Sequence, residues 1–248
     1  MTTNTQTALS MRPNYLAIAV FLATIAFALS PFLTIGFGGF TQSQFPVVIA
    51  NPPVQPAGYA FSIWGIIYLW LIFGAGMGVW RASVDHDWHA MRQPLLVSLV
   101  IGSFWIWAAN ISPILATVMI AVMAVCAVLA MLRAGAHDPW IQVRPVALYA
   151  GWLTAATGVA IGVTLGGYGI LSGQHAAYVC LSLVLVLALF VQSKRPMEWA
   201  YPSAIIWALI GVIVANFDTR NAPVLAICVI GIVALVYYPL KSLQKGTR

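Results

Sequence analysis

Long apolar segments alternate with short polar ones along the whole chain, a pattern typical of a protein that crosses a membrane several times. In the clearest segment, 24 consecutive residues after Pro56 carry no charge. As a helix, a segment of that length crosses a hydrocarbon layer of about 30 Å. We therefore predict an all-α fold, a polytopic membrane bundle of about eight transmembrane helices. The predicted helices cover residues 14–36, 56–80, 94–110, 114–132, 145–165, 175–192, 200–217 and 222–240.

The composition agrees with this prediction and excludes a soluble domain. Only 6% of the 248 residues are charged and the mean hydropathy is +0.94, whereas roughly a quarter of a soluble domain is charged. The net charge of +6 relates to orientation in such a protein, so we expect membrane lipid and no nucleic acid as a partner. Cys126, Cys180 and Cys228 lie within apolar segments, and we interpret them as packing residues. No cofactor is predicted.

Basic residues are unequally divided between the two ends of the predicted helices. If the eight helices alternate in direction, ten of the eleven basic residues share one end, and only Arg220 lies at the other. Loops rich in Lys and Arg face the cytoplasm. We therefore predict a multi-pass membrane protein with both termini in the cytoplasm.

The second predicted helix carries large side chains on two opposite faces. At about 100° per residue, Phe61, Trp64 and Tyr68 share one face. The opposite face carries Trp70, Phe73, Met77 and Trp80. Two interpretations stay open: the rings pack against other helices and anchor the helix at the interface, or one face lines a cavity for a flat apolar ligand.

Further candidates for such a cavity lie on the third and fifth helices. Trp107 and Asn110 share one stripe of the third helix. A side-chain amide in lipid needs hydrogen bonds, so Asn110 either caps the turn before Pro113 or contacts a ligand. On the fifth helix, Tyr149 and Trp152 share a face with small residues, which either leave a hollow or admit a neighbouring helix.

Ionisable side chains are missing from the interior of all eight predicted helices. Proton-coupled carriers usually need such groups, and so does acid–base catalysis. A proton-driven pump is therefore disfavoured, and we predict no catalytic residue, although an enzymatic role stays open. Residues 85–89 contain two Asp and two His, but we interpret this short loop as solvated and predict no metal site.

Two motifs resemble those of a known family. From Pro56 the chain reads Pro-Ala-Gly-Tyr-Ala-Phe-Ser-Ile-Trp-Gly-Ile-Ile-Tyr. This is similar to the Pro-Pro-x-Trp-x-Phe-x-x-x-Trp-x-x-Leu-Tyr signature of the TspO/MBR-related family, the tryptophan-rich sensory proteins. Ala57 and Tyr59 stand where the signature has its second Pro and its first Trp. Residues 145–157 resemble the family's fifth helix.

The resemblance implies that the chain consists of a core unit shared with the family and of further helices after it. A TspO-like five-helix unit is expected at residues 14–168, followed by three additional helices at 169–240. The expected flanking segments are a disordered cytoplasmic tail at 1–13 and a basic cytoplasmic tail at 241–248.

The resemblance also implies a multi-pass protein of a bacterial inner (cytoplasmic) membrane. It implies binding of a hydrophobic planar ligand, such as a tetrapyrrole, in a sensory or regulatory role. The expected ligand-binding residues are Pro56, Tyr59, Phe61, Trp64, Tyr68, Trp107, Asn110, Tyr149 and Trp152. Three alternatives stay open: a permease for a small neutral or lipophilic solute, a porphyrin-degrading enzyme, and an assembly partner without a ligand. A homodimer is compatible with each of these.

Overall fold

Eight α-helices make up most of the computed structural model, which describes residues 15–34, 38–81, 86–135 and 137–246. The predicted N-terminal tail lies outside these ranges. The helices are α1 (Tyr15–Leu33), α2 (Ile63–Arg81), α3 (His89–Ile111), α4 (Pro113–Arg133), α5 (Val143–Gly167), α6 (Gly173–Lys194), α7 (Ala200–Phe217) and α8 (Ala222–Gly246). A 3-10 turn at Gly58–Ser62 leads directly into α2. The all-α helix bundle predicted from the sequence is confirmed.

Seven of these helices are long and apolar enough to cross a membrane. The apolar part of α8, Ala222–Tyr238, is shorter and lies near the lower limit of about 17 residues for a spanning helix. An integral multi-pass membrane protein follows from these lengths and compositions.

Three helix ends differ from the predicted ones by five residues or more. The α2 helix begins at Ile63, after the 3-10 turn, rather than at residue 56. The α3 helix begins at His89 rather than at residue 94, and α8 continues to Gly246, through part of the predicted basic tail. Hydropathy marks only the segment that lies in hydrocarbon. Helical hydrogen bonds continue beyond it, because polar residues form the same backbone bonds. In α3 this extension includes Arg92, which is 2% exposed and donates to the Gly78 carbonyl at 3.3 Å.

The helices form two bundles that share α5. In the N-terminal bundle, α1 contacts α2 and α3, α4 contacts α3 and α5, and α2 contacts α5. In the C-terminal bundle, α6 and α7 both contact α5 and both contact α8. Because α5 has neighbours from both bundles, most of its side chains are buried. This shared helix explains why α5 carries small residues on several faces.

Loops at the two ends of the helices alternate as expected for a chain that crosses the bundle repeatedly. At one end, the Gln142 Nε2 atom donates to the Asp87 carbonyl (2.9 Å), and Arg195 donates to the carbonyls of Leu132 and Ala134. We call this the inner end, because most of the basic residues lie there. The other, outer end holds the α1–α2 loop and the loops after α3, α5 and α7.

The α1–α2 loop is fixed to the outer end of both bundles. The backbone N–H of Val47 donates to the Gly167 carbonyl of α5 (2.9 Å), and the N–H of Ala57 donates to the Gly211 carbonyl of α7 (3.0 Å). Val54 is 1% exposed and packs on Gly162, where an added Cβ would lie 3.0 Å from its Cγ1 atom. The absence of a side chain at Gly162 therefore lets the loop approach α5 closely.

Candidate ligand-binding site

A cavity of about 220 Å³ lies in the outer half of the N-terminal bundle, between all five of its helices. We call it the aromatic cavity. Its walls are apolar apart from one hydroxyl and three indole N–H groups. They are formed by Phe27, Pro31, Phe61, Trp64, Tyr68, Trp105, Ile106, Ile120, Met123, Trp152, Leu153 and Ala156.

Aromatic rings support one another around this cavity. Trp64 stacks on Tyr68, with ring centroids 5.3 Å apart and an interplanar angle of 16°. Phe27 presents its edge to both rings, at 5.7 and 5.2 Å. Trp152 lies edge-on to Trp64 at 6.1 Å and to Phe61 at 6.0 Å. Such pairs contribute about 0.5–1.5 kcal/mol each beyond area burial, so they hold the cavity wall in place.

The polar groups at the cavity differ in how well they are satisfied. The Trp105 indole N–H donates to the Ala116 carbonyl at 2.9 Å. By contrast, the Nε1 atom of Trp152 is buried and has no hydrogen-bond partner among the described residues. The Tyr68 hydroxyl also makes no hydrogen bond within the described part of the chain. A buried donor without a partner is unfavourable by about 1–3 kcal/mol, and an acceptor on a bound molecule would relieve this at Trp152.

Tyr149 lies behind the aromatic cavity and holds its wall from the outside. Its hydroxyl is 2.9 Å from the hydroxyl of Ser98, which donates to the Met123 carbonyl at 2.9 Å. Ser98 has a single hydroxyl hydrogen, so Tyr149 is the donor to Ser98. The Tyr149 ring lies 5.6 Å from Phe27 and 6.4 Å from Trp64. The side chain therefore links α3, α4 and α5 behind the rings that line the cavity.

Comparison with known proteins places this architecture in a family. A family model described as TSPO-like protein matches residues 14–240. The chain belongs to the TSPO-like family. The match includes the last three helices of the TSPO-like bundle as well as the first five. No match was found among curated proteins or among solved structures.

The start of α2, which carries the family-like motif, lies between the two bundles. Pro56 is buried and Tyr59 is 44% exposed. The Tyr59 ring packs edge-on against Trp207 of α7 at 5.6 Å, and the Trp207 indole N–H donates to the Ala60 carbonyl at 2.8 Å. Pro56 packs on Gly211 of α7, where an added Cβ would lie 2.8 Å from the Pro56 Cβ atom. Both predicted residues therefore contact α7, and neither lines the aromatic cavity.

Two predicted residues of α3 lie away from the cavity. Trp107 is 58% exposed, and the exposed Asn110 donates its side-chain N–H to the Ile106 carbonyl at 3.1 Å, within its own helix. Residues two apart in a helix point about 200° apart. Trp105 therefore faces the cavity from the opposite side of α3, and the structure does not bring Trp107 or Asn110 to its wall.

The sequence contained a signal for the correct face of α3. Ser98, Gly102, Trp105 and Ala109 follow one another at intervals of four, three and four residues, and all but Trp105 are fully buried. Gly102 lies so close to Phe27 that an added Cβ would be 2.7 Å from its ring. In membrane bundles, a stripe of small residues marks the face that packs on other helices. That stripe identifies Trp105 as the inward-facing ring.

On the opposite face of α2, Trp70 contacts a separate aromatic cluster at the inner end, whereas Phe73 and Trp80 are exposed. The Trp70 indole N–H donates to the Trp140 carbonyl at 2.8 Å, and its ring lies 6.5 Å from that of Trp199. The Arg144 guanidinium lies over the rings of Trp140 (4.0 Å) and Trp199 (5.4 Å). The neighbouring Glu198 accepts a hydrogen bond from the backbone N–H at residue 200. Trp70 is therefore remote from the aromatic cavity.

Burial and neighbouring positive charges have opposite effects on the pKa of Glu198, which lies between α6 and α7. Burial raises the pKa of the Glu198 carboxyl above its ordinary value, while the Ala200 N–H and the charges of Arg144 and Arg195 oppose the rise. Burial also lowers the pKa of Arg195.

The solvated loop predicted at residues 85–89 is described only from residue 86. Its Asp87 Oδ2 atom pairs with the Nδ1 atom of His137 at 3.0 Å, so it joins two inner loops. Within the described residues, no group of three His, Cys, Asp or Glu side chains is arranged to hold a metal ion.

A larger opening lies beyond the aromatic cavity, at the outer end. This outer cleft has a volume of about 910 Å³ and lies between the α1–α2 loop and the outer ends of α5, α6 and α7. A smaller cavity of about 50 Å³, which we call the neck, shares Phe40, Gln55 and Pro56 with the cleft. The neck also shares Phe61 and Trp152 with the aromatic cavity. The three spaces therefore adjoin one another from the outer surface to the interior of the bundle.

Proposed function

We propose that the protein binds a hydrophobic molecule with a flat ring system in the aromatic cavity. The observation that carries this proposal is the cavity itself, which is lined by aromatic rings, among them that of Trp152, whose buried indole N–H has no partner in the described residues. Apolar walls with a few directed polar groups are typical of small-molecule sites. The ligand's ring would lie against Trp64, and an acceptor atom on its edge would face Trp152.

The size of the cavity refines the class of ligand. An engineered protein cavity of about 150 Å³ binds benzene, so the 220 Å³ of the aromatic cavity suit a compound of one or two fused rings. Pockets for larger ligands usually measure about 300–1,000 Å³. A tetrapyrrole, the ligand class expected from the family resemblance, would require the cavity and the neck to merge through displacement of Phe61 or Trp152.

A sensory or regulatory role is compatible with the position of Phe61. This side chain lines both the aromatic cavity and the neck, and it precedes α2 by two residues. A ligand that displaces its ring would also shift the start of α2, which is attached to α7 through Trp207. Ligand binding inside the N-terminal bundle would thereby alter the outer surface and the C-terminal bundle.

A graded ligand panel tests the proposal. The purified full chain in nanodiscs would be dialysed against toluene, naphthalene and a free-base tetrapyrrole, with protein-free nanodiscs as the control for lipid partitioning. We expect saturable one-to-one binding of naphthalene, weaker binding of toluene, and tetrapyrrole binding only with a change in the fluorescence of the cavity tryptophans. No saturable binding of any of the three would refute the proposed function.

A further inference from the structure

Gln55 lies at the junction between the outer cleft and the neck. Its backbone N–H donates to the Pro52 carbonyl, but its side chain makes no hydrogen bond within the described part of the chain. The residue is half-buried and lines both spaces. An amide has two N–H donors and one carbonyl acceptor, so this group can bond to a molecule that occupies the neck.

Gly39 allows the Gln55 amide to take this position. An added Cβ on Gly39 would lie 3.0 Å from the Gln55 Nε2 atom. The φ angle of Gly39 is +123°, in the region that favours glycine. Any side chain at this position would therefore be strained, and it would press on the Gln55 amide.

The neck is suited to a small polar group rather than to a ring. Its volume of about 50 Å³ exceeds the roughly 30 Å³ that one water molecule occupies in the liquid, but it is far below the roughly 150 Å³ of a cavity that holds benzene. Its lining includes Gln55, whose side-chain amide makes no hydrogen bond within the described residues, and the ring of Trp152. A hydroxyl or carboxamide fits this volume and can bond to the Gln55 amide.

The outer cleft is lined by uncharged side chains. Its polar residues are Thr41, Gln42, Asn51, Gln55, Gln174, Asn216, Thr219 and Asn221. Among the described lining residues none carries a charge. The Gln174 and Asn221 amides are paired with each other at 2.8 and 2.9 Å, and Asn216 donates to the Pro53 carbonyl at 2.9 Å. These bonds give the cleft a fixed polar wall that matches neutral molecules better than ions.

We infer that the neck is a polar subsite of the aromatic cavity, in which Gln55 binds a neutral hydroxyl, carbonyl or amide group of the ligand, and that the outer cleft is the entrance to both. The inference rests on the proposed function and narrows its ligand class to ring compounds with a neutral polar arm. The polar arm points toward the outer surface, and the ring lies in the aromatic cavity.

A matched pair of probes separates this inference from the proposed function. Naphthalene and 2-naphthamide share a ring system, and only the second has a neutral polar arm. The full chain should bind 2-naphthamide about 3- to 10-fold more tightly than naphthalene, the effect of a hydrogen bond of about 0.5–1.5 kcal/mol. The near-isosteric variant Gln55→Leu should abolish this difference and leave naphthalene affinity unchanged.

The outcomes of this experiment are distinct. If naphthalene does not bind to the wild-type chain, the proposed function fails. If naphthalene binds but 2-naphthamide binds no more tightly, or if Gln55→Leu leaves the difference intact, the polar subsite is refuted while the aromatic site stands. Anionic 2-naphthoate provides a further check, because an uncharged subsite should bind it more weakly than 2-naphthamide.

Chemical blocking of the outer cleft tests whether ligands enter the protein through it. Thr219 is exposed and lines the cleft, whereas its exposed neighbour Asp218 does not. A bulky, membrane-impermeant maleimide attached to Thr219→Cys should slow association of 2-naphthamide at least fivefold, and the same label on Asp218→Cys should not. Wild-type protein treated with the reagent controls for reaction at Cys126, Cys180 and Cys228. Equal association rates for both labelled variants would overturn the cleft as the entrance.

Discussion

Trp64 and Trp70 lie six residues apart on α2, and replacing each by alanine should give opposite results. Trp64 lines the aromatic cavity, stacked on Tyr68. Trp70 lies on the opposite face and donates to the Trp140 carbonyl at the inner end. We expect Trp64→Ala to weaken ligand binding strongly, and Trp70→Ala to lower the stability of the fold with little effect on binding.

The loss of binding free energy expected for Trp64→Ala follows from the surface that the Trp64 indole would bury against a ligand. Roughly 50 Å² of apolar surface buried against the ligand contributes about 1.3 kcal/mol at 25 cal/mol per Å². Favourable ring geometry adds about 0.5–1.5 kcal/mol. A total of about 2–3 kcal/mol corresponds to a 30- to 150-fold loss of naphthalene affinity.

For Trp70, the lost hydrogen bond should lower the free energy of unfolding by about 0.5–1.5 kcal/mol. Because Trp70 is remote from the cavity, naphthalene affinity should change by less than about threefold, well under 1 kcal/mol.

Equilibrium dialysis of naphthalene against nanodisc-embedded protein measures the affinities, and thermal unfolding confirms that both variants are folded. A loss of affinity in Trp70→Ala but not in Trp64→Ala would mean that the face of α2 has been assigned wrongly. Unchanged affinity in both variants would place the ligand elsewhere and make the aromatic cavity a packing feature.

Three further predictions concern the rest of the molecule. Ser98→Ala should lower the free energy of unfolding by about 1–2 kcal/mol because it leaves the Tyr149 hydroxyl buried without an acceptor. Adding Tyr149→Phe should restore part of this loss in a double-mutant cycle. Additive effects of the two substitutions would contradict the hydrogen bond between Tyr149 and Ser98. For Glu198, whose pKa is raised by burial, the folded state binds the proton more tightly than the unfolded state, so stability should fall as pH rises from the ordinary carboxyl pKa through the raised value. Glu198→Gln should remove this dependence in thermal melts across that pH range, and an unchanged profile would exclude the carboxyl as its source. Reporter fusions after Leu165 should lie outside and those after Leu132 in the cytoplasm, and a cytoplasmic signal from both would contradict eight alternating helices.

Helix number and the faces of α2 could be predicted from the sequence because both depend on local spacing. Uncharged length determines which segments cross the membrane, and the interval between Trp64 and Tyr68 places both on one side of a helix. The contacts of Trp64 and Trp70 with different parts of the bundle agree with this two-faced interpretation.

The rotation of α3 could not be predicted from its aromatic residues alone. Trp105 and Trp107 are chemically equivalent candidates, and a ring that faces lipid looks the same in sequence as a ring that faces a cavity. Only the packed surface of the helix decides between them, and small residues such as Gly102 define that surface through contact with Phe27 of another helix.

The position of the α1–α2 loop depends on contacts between residues that are distant in sequence. Val54 packs on Gly162, and Ala57 bonds to Gly211. Nothing in the local composition of the loop indicates these partners. The outer cleft and the neck arise from this packing, so the sequence could not show that Gln55 lies above a cavity.

Filling the aromatic cavity with a side chain provides the most direct test of the central claim. Ala156 lines both this cavity and the neck, so the ring of Ala156→Phe would occupy the space proposed for the ligand. Val122→Phe adds a ring at a position of α4 that is 41% exposed and serves as the matched control. We predict that naphthalene binding is lost in folded Ala156→Phe and kept in Val122→Phe. Naphthalene binding of wild-type affinity to folded Ala156→Phe would contradict the assignment of this cavity as the ligand site.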